Sequence, residues 1–368
     1  MPLDLSLPRG LRDLLPDHSA HLAELSARLH QVFSSFGYRR VLLPTLERLD
    51  VVERGLSPGA RQGILKFVEP DSGEVVAIRP DITPQIARLY AARPDALPAP
   101  ARLCYDGPVL RAREARAGRP REVYQAGVEL LGAGGVRADA EALAVLWKAL
   151  TGVGLGDATL EVGHARFARE VVAAAGLPPQ AREEAAGALA RKDEAALAAL
   201  ARRGRGGAGA RRALPLLATL YGDGALGRAR ALARSAPGAA EALEEVEGAL
   251  RLVRRRGVAR VAVDLGEVRG LGYYTGLTFA GYAPGAGSAV AAGGRYDGLL
   301  ARFGRPDPAI GFAVDLEFAT QALERKDGGG RGAGLGPAQA GALALHGRRG
   351  AHGLPAEGRG LPQRSRRA

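Results

Sequence analysis

Apolar positions recur every three or four residues over 17–37: Leu22, Leu25, Leu29, Val32, Phe33 and Phe36. That period places them on one face of a helix, and Gly37 supplies a C-terminal stop. The strand-like run YRRVLLP follows and is closed by Pro44. GILKFVEP and EVVAIRP, separated by the turn-forming PDSGE, predict a β-hairpin. Thr83 and Pro84 then suit a helix start in DITPQIARLYAA. Two longer strands, RLCYDGPVLRAR and REVYQAGVELLG, flank the basic loop REARAGRP. A helix is expected over 139–155 and a strand over 158–163. From 164 to 257 alanine, leucine, arginine and glutamate dominate and β-branched residues are scarce, which is helical chemistry. RGRGGAGARR at 203–212 interrupts this stretch, so 164–257 reads as an inserted helical subdomain. Residues 258–325 return to strands, with a final helix around Asp315–Leu323. After Lys326 the periodicity stops, and the Gly-, Pro-, Ala- and Arg-rich remainder, 326–368, is expected to be a disordered basic tail.

A chain of 368 residues with 46% hydrophobic content has the length for two or three domains and a sizeable core. No run approaches the roughly 18 apolar residues of a membrane span. The start has no basic flank followed by an apolar block, so a signal peptide is not expected. Cys104 is the single cysteine and has no partner within the chain for a disulfide, which fits a buried thiol in a cytoplasmic protein. The six histidines show no metal-ligand spacing, and neither a metal nor a cofactor is expected. The formal charge of +12 invites a nucleic-acid reading. Half of that excess sits beyond residue 325, however, where eight Lys or Arg face two Asp or Glu. Aromatics are only 5% and do not interleave with the arginines as a stacking platform would, so nucleic-acid binding is not expected.

The densest chemistry lies in 267–317, EVRGLGYYTGLTFAGYAPGAGSAVAAGGRYDGLLARFGRPDPAIGFAVDLE. It combines Arg269, the adjacent Tyr273 and Tyr274, paired glycines before Arg295 and Tyr296, and a closing GFAVDLE. A guanidinium such as Arg269 binds a carboxylate through two parallel hydrogen bonds. Gly293 and Gly294 permit close backbone approach, as the floor of a small pocket requires. Gln125 and Glu129 are four apart in a predicted strand and so share one side. Flanked by Val128, Leu130 and Leu131, Glu129 should be half-buried, and a ligand or an arginine has to compensate its charge.

These features together resemble class II histidyl-tRNA synthetases over roughly residues 5–325. The helix–Gly–strand–Pro–Glu order resembles motif 1, a dimerisation element. The strand–basic loop–strand layout resembles motif 2, whose arginine matches Arg111. RPDIT stands where the synthetases have a segment like RPEGT, which implies that Asp81 and Thr83 lie near an amino group. The resemblance implies that Arg269 meets the carboxylate of histidine, Tyr274 the imidazole edge, and Tyr273 packing or a second contact. It also implies an α+β fold, an antiparallel sheet flanked by helices, formed by 1–163 and 258–325.

Three positions depart from the synthetases. Arg113 replaces the motif 2 glutamate, Phe318 replaces the motif 3 arginine that grips ATP phosphates, and Asp315 replaces a glycine. Losing a clamp that acts at a transition state costs orders of magnitude in rate. Some 43 residues of tail composition also fall short of an anticodon-binding domain. The chain is thus most similar to the ATP phosphoribosyltransferase regulatory subunits, the non-catalytic branch of this family. That resemblance implies a short-form catalytic ATP phosphoribosyltransferase partner in a hetero-octamer, a homodimer through the motif 1 region, and L-histidine as feedback effector. The alternatives are a truncated histidyl-tRNA synthetase, or a paralogue that binds histidine or tRNA with another partner.

Overall fold

A computed structural model describes residues 5–56, 61, 63–111, 120–267 and 274–326. Helix α1, Pro16–Ser35, buries Leu22, Leu25, Leu29 and Phe33 along one stripe. Gly37, at φ +81°, turns the chain out of it, a conformation costly to any residue with a Cβ. Only Arg39–Arg40 of the predicted YRRVLLP strand pairs, as β1. Next come β2 (Leu46–Arg48), α2 (Leu49–Gly55), β3 (Lys66–Val68) and β4 (Val75–Ile78). The predicted hairpin β3–β4 forms and takes β2 onto its other edge, giving a small sheet of order β2-β4-β3.

Helix α3, Thr83–Ala92, leads to the long strands β5 (Ala101–Leu110) and β6 (Glu122–Leu131). Then follow α4 (Gly135–Gly152) and β7 (Thr159–His164). Six helices occupy the alanine-rich stretch: α5 (Ala165–Ala174), α6 (Pro179–Ala190), α7 (Glu194–Arg203), α8 (Ala208–Leu216), α9 (Ala225–Ala233) and α10 (Pro237–Arg255). Strands β8 (Val261–Val263), β9 (Leu277–Tyr282) and β10 (Ala291–Arg295) follow. The short α11 (Asp297–Ala301), β11 (Ala309–Asp315) and α12 (Leu316–Lys326) complete the described chain.

The main sheet has eight strands in the order β1-β5-β6-β11-β10-β9-β7-β8. Its six inner strands are antiparallel, as expected, but both edges are parallel: β1 to β5 and β8 to β7. A parallel neighbour needs a crossover, and the helices between β7 and β8 provide one. Alternate residues of β6 divide the sheet's two sides. Ala126, Val128 and Leu130 enter a large core with α1, α4 and the helices of 165–255. Phe33 and Phe312 meet edge to face within it, at 5.9 Å. On the other side Leu103, Tyr105 and Leu131 join Ile82, Ile86 and Tyr90 of α3 and Tyr296, Leu299 and Leu300 from the α11 region. The residues of β6 that carry polar chemistry face this second, smaller core.

Candidate functional site

Gln125, Gly127 and Glu129 project to the same side of β6. A Cβ at Gly127 would stand 2.6 Å from the Tyr105 hydroxyl oxygen, so the glycine leaves that ring room. Glu129 is 1% exposed. Its carboxylate accepts a hydrogen bond from Thr83 Oγ1 at 2.7 Å and a short one from the Tyr296 hydroxyl. Among the described residues its partners are therefore hydroxyls; the sequence had suggested a ligand or an arginine. Two neutral donors only partly replace water around a buried charge. Burial accordingly pushes the Glu129 carboxyl up to about 8, Asp81 adds to the rise, and the two hydroxyls oppose it.

Asp81 sits at the start of α3 and accepts from the Thr83 backbone N–H at 3.3 Å. Burial raises its pKa, while the amides of Thr83 and Ile82 and the charge of Arg111 hold it down. The Arg111 backbone is fixed to Arg121 by reciprocal bonds of 2.9 Å, Arg111 N to Arg121 O and Arg121 Nε to Arg111 O. Tyr274 is half-buried; burial raises its hydroxyl pKa, and both Asp81 and Glu129 raise it further. Its ring lies against Gly294, where a Cβ would come within 2.8 Å of Tyr274 Cδ1. Gln125 is 8% exposed, and its amide Nε2 has no hydrogen-bond partner among the described residues. A buried amide donor left unmade is costly.

Six of the eight expected residues can thus be located: Asp81, Thr83, Glu129 and Tyr274 lie close enough to interact, Arg111 faces Asp81, and Gln125 lies on the same side of β6 as Glu129. Arg269 and Tyr273 lie outside the described residues, as does Arg113. Sequence reasoning left Tyr296 without a role, although its GGRY neighbourhood was noticed. It also missed Asp139. Arg295 is 4% exposed and bonds Asp139 Oδ1 at 2.8 and 2.6 Å and Asp297 at 3.0 Å. Asp297 in turn accepts from the Ala309 N–H, and its own N–H donates to Thr275 Oγ1. This network fixes the turn carrying Tyr296 and so aims its hydroxyl at Glu129.

The opposite end of β11 is built differently. Asp315, in register with Gln125, caps α12 by accepting from the N–H groups of Glu317 and Phe318, both at 3.1 Å. Glu317 is buried and forms an ion pair with Arg12, whose charge also faces Asp315. The segment carrying Arg12 is held by Arg121, whose N–H bonds Gly10 O at 2.8 Å and whose guanidinium bonds Arg9 O at 3.2 Å. Phe318 packs on the large core. The carboxylates of this corner are therefore satisfied from within the chain. Elsewhere Glu161, Asp264 and Glu267 bring carboxylate oxygens within 4.8 Å of one another. There the Lys192 ammonium bridges both oxygens of Asp264 at 2.8 Å and supplies the counter-charge.

Comparison with known proteins matches residues 10–319 to the family model described as histidyl-tRNA synthetase. A protein of Anaeromyxobacter sp. strain Fw109-5, described as an ATP phosphoribosyltransferase regulatory subunit, is 82% identical over 326 residues. That match covers 89% of this chain and 95% of the relative. A solved structure from Bacillus halodurans C, described as an ATP phosphoribosyltransferase regulatory subunit/histidyl-tRNA synthetase, superposes with a TM-score of 0.77 at 28% identity. It covers 88% of this chain and 84% of its own. The histidyl-tRNA synthetase of Nostoc sp. PCC 7120, at 22% identity, TM-score 0.73 and coverages of 89% and 76%, shares the fold.

Proposed function

This chain belongs to the ATP phosphoribosyltransferase regulatory subunits, a family built on the histidyl-tRNA synthetase fold, and from that premise we propose that it senses histidine without catalysing a reaction of its own. Its place is in histidine biosynthesis. The partner is a separate short-form catalytic subunit, joined in a hetero-octamer, and the site of action is the cytoplasm. No helix among the described residues is long and apolar enough to cross a membrane.

One contrast supports this reading. The part that resembles an amino-acid site groups Glu129, Thr83, Asp81 and Tyr274, and on the same side of β6 the buried Gln125 Nε2 has no hydrogen-bond partner among the described residues. The half that would face ATP phosphates in a synthetase is closed by its own charges, with Asp315 capping α12 and Arg12 paired to Glu317. A phosphate placed there would meet two carboxylates and compete for one arginine. Carboxylates and an amide suit the amine and imidazole of histidine, and Arg269 and Tyr273 would complete the set at its carboxylate and ring.

A homodimer through the motif 1 region is supported by large apolar side chains left in solvent there. Leu42 is 78% exposed and Leu46 41%, and Phe67, Val68 and Val75 of the small sheet are also exposed. Such a cluster marks a protein contact.

The test is a thermal-shift titration followed by an assay of the reconstituted transferase. Histidine should raise the melting temperature and ATP alone should not; equal stabilisation by ATP would overturn the reading. Arg269→Ala should cost about 1.5–3 kcal/mol of histidine binding, a roughly ten- to hundredfold weaker inhibition constant. Activity without histidine should persist. Feedback needs histidine to prefer one assembly state, because a ligand of equal affinity for both shifts nothing. Unchanged inhibition in this variant would place the feedback site elsewhere.

A further inference from the structure

The fold packs closely around the carboxyl of Glu129. Both of its oxygens meet hydroxyls, Thr83 donating to Oε1 at 2.7 Å and Tyr296 to Oε2. Gly311 of β11 stands opposite in register, and a Cβ there would collide with Oε2, so backbone presses directly on the carboxyl. The groups that face it come from several elements. Asp81 and Thr83 belong to the start of α3, and Tyr105 to β5. Tyr274 precedes β9, Tyr296 precedes α11, and Tyr38, whose own hydroxyl donates to Glu141, precedes β1. Burial raises the pKa of Tyr38, Tyr105 and Tyr274, which keeps these phenols neutral. Among the described residues the charged group that acts on Glu129 is therefore another acid, Asp81.

A carboxylate in such surroundings is costly to keep ionised, and a second carboxylate beside it adds to the cost. Thr83 links the two acids: its N–H donates to Asp81 Oδ1 at 3.3 Å, and its hydroxyl donates to Glu129. The acids are not equivalent. Asp81 has the amides of Ile82 and Thr83 and the charge of Arg111 to favour its ionised form. Glu129 has two neutral hydroxyls, and burial pushes its carboxyl up to about 8. At neutral pH the less supported acid keeps its proton.

We propose that Glu129 carries a proton while no ligand is bound and releases it to solvent when the ammonium of histidine docks between Glu129 and Asp81. The inference rests on the histidine reading above and adds to it a regulation of that site by pH. The exchange balances. A neutral carboxyl and a free ammonium go in, a carboxylate–ammonium pair and one solvated proton come out, and the bond that breaks is the O–H of Glu129. Around pH 7.5 the ammonium of free histidine is charged, whereas its imidazole, titrating near roughly 6.5, is mostly neutral. A hydrogen bond from a cation to a carboxylate is about twice as strong as a neutral one, which favours the ionised form of Glu129 in the complex. Histidine therefore binds tighter as pH rises, until Glu129 is ionised without it. Feedback on the transferase weakens as the surroundings acidify.

The test is isothermal titration calorimetry of the full chain with L-histidine at pH 7.0, run in phosphate and in Tris. The two buffers differ in ionisation heat, so the difference counts protons. The wild type should release about 0.9 proton per histidine, the fraction of a carboxyl at about 8 that is still protonated at that pH. Its dissociation constant should fall roughly eightfold from pH 6.5 to 7.5, and by less than about twofold from pH 8.0 to 8.5. Glu129→Gln has no proton to release and should bind more weakly, keeping only the small pH dependence of the ligand's own ring. Tyr296→Phe removes one donor from the carboxylate, so its affinity should level off at a higher pH than in wild type. A merely structural Glu129 would produce no such displacement. Circular dichroism checks that each variant is folded. Histidine binding with less than about 0.3 proton released, or with an affinity flat from pH 6.5 to 8, would overturn the proposal and leave the histidine reading standing. Equal release by Glu129→Gln would assign the proton to another group and overturn it as well. If neither heat nor a thermal shift accompanies histidine at any pH from 6.5 to 8.5, the histidine reading fails and this inference fails with it.

Discussion

The carboxyl of Glu129 ties the pocket to pH in a way that one substitution isolates. Its pKa in the folded chain is pushed up to about 8 by burial, whereas in an unfolded chain a glutamate titrates near 4.3, roughly its free value. Between those values the folded protein holds a proton that the unfolded chain has released. A raised carboxyl pKa therefore makes stability fall as pH rises. From pH 6 to pH 8 the loss amounts to roughly 2 kcal/mol. Glu129→Gln keeps the shape, still accepts from Thr83, and can donate to the Tyr296 oxygen, but carries no proton to lose. Denaturant unfolding at half-unit steps from pH 6 to 8.5 should show wild-type stability descending relative to the variant, with the curves separating by that amount. His164, held low by burial, and Asp139, raised to about 6, titrate in both proteins and cancel in the difference. Parallel curves would refute the reasoning, and would mean that a cation keeps Glu129 ionised throughout.

Arg295→Met should destabilise by about 3–5 kcal/mol by leaving Asp139 buried without its partner; adding Asp139→Asn should recover part of that loss in the same denaturant assay. Gly311→Ala places a Cβ against the Glu129 carboxylate and 2.5 Å from Val128 O. It should cost about 1–3 kcal/mol, and histidine should stabilise it less in a thermal-shift titration. A chain ending at Lys326 should unfold within about 0.5 kcal/mol of the full chain, because the last described contacts, Lys326 Nζ to Gly154 O at 2.8 Å and to Asp157, remain. Aggregation of that shortened chain would show that the tail is structural.

Local periodicity made much of this legible. The stripe of α1 and the shared side of Gln125 and Glu129 follow from residue spacing alone, because 3.6 and 2 are properties of the backbone. Asp81, Thr83 and Arg111 were legible only through motif resemblance, since nothing local distinguishes them from a helix start and a loop arginine. The Arg295–Asp139 pair was not legible: its members are 156 residues apart, and each reads alone as a surface charge. The same holds for Arg12 and Glu317. Asp315 reads in sequence as misplaced negative charge, yet its work in the fold is to cap α12. The parallel edges of the sheet escaped because a strand's pattern reports burial and not direction.

Strand β11 sits between β6 and β10, and its Asp315 pairs with Gln125 across 190 residues of chain. During synthesis, β6 emerges early and can pair at once only with β5. Its other edge, in the strand that bears Gln125 and Glu129, must wait for the last described strand to be made. An open edge of apolar composition invites pairing with other chains. The nascent subunit therefore passes through a stage in which its binding strand is exposed, and sheet closure and pocket assembly are one late event. Chaperone dependence and ribosome-stalling experiments should place that vulnerable interval between the emergence of β6 and that of β11.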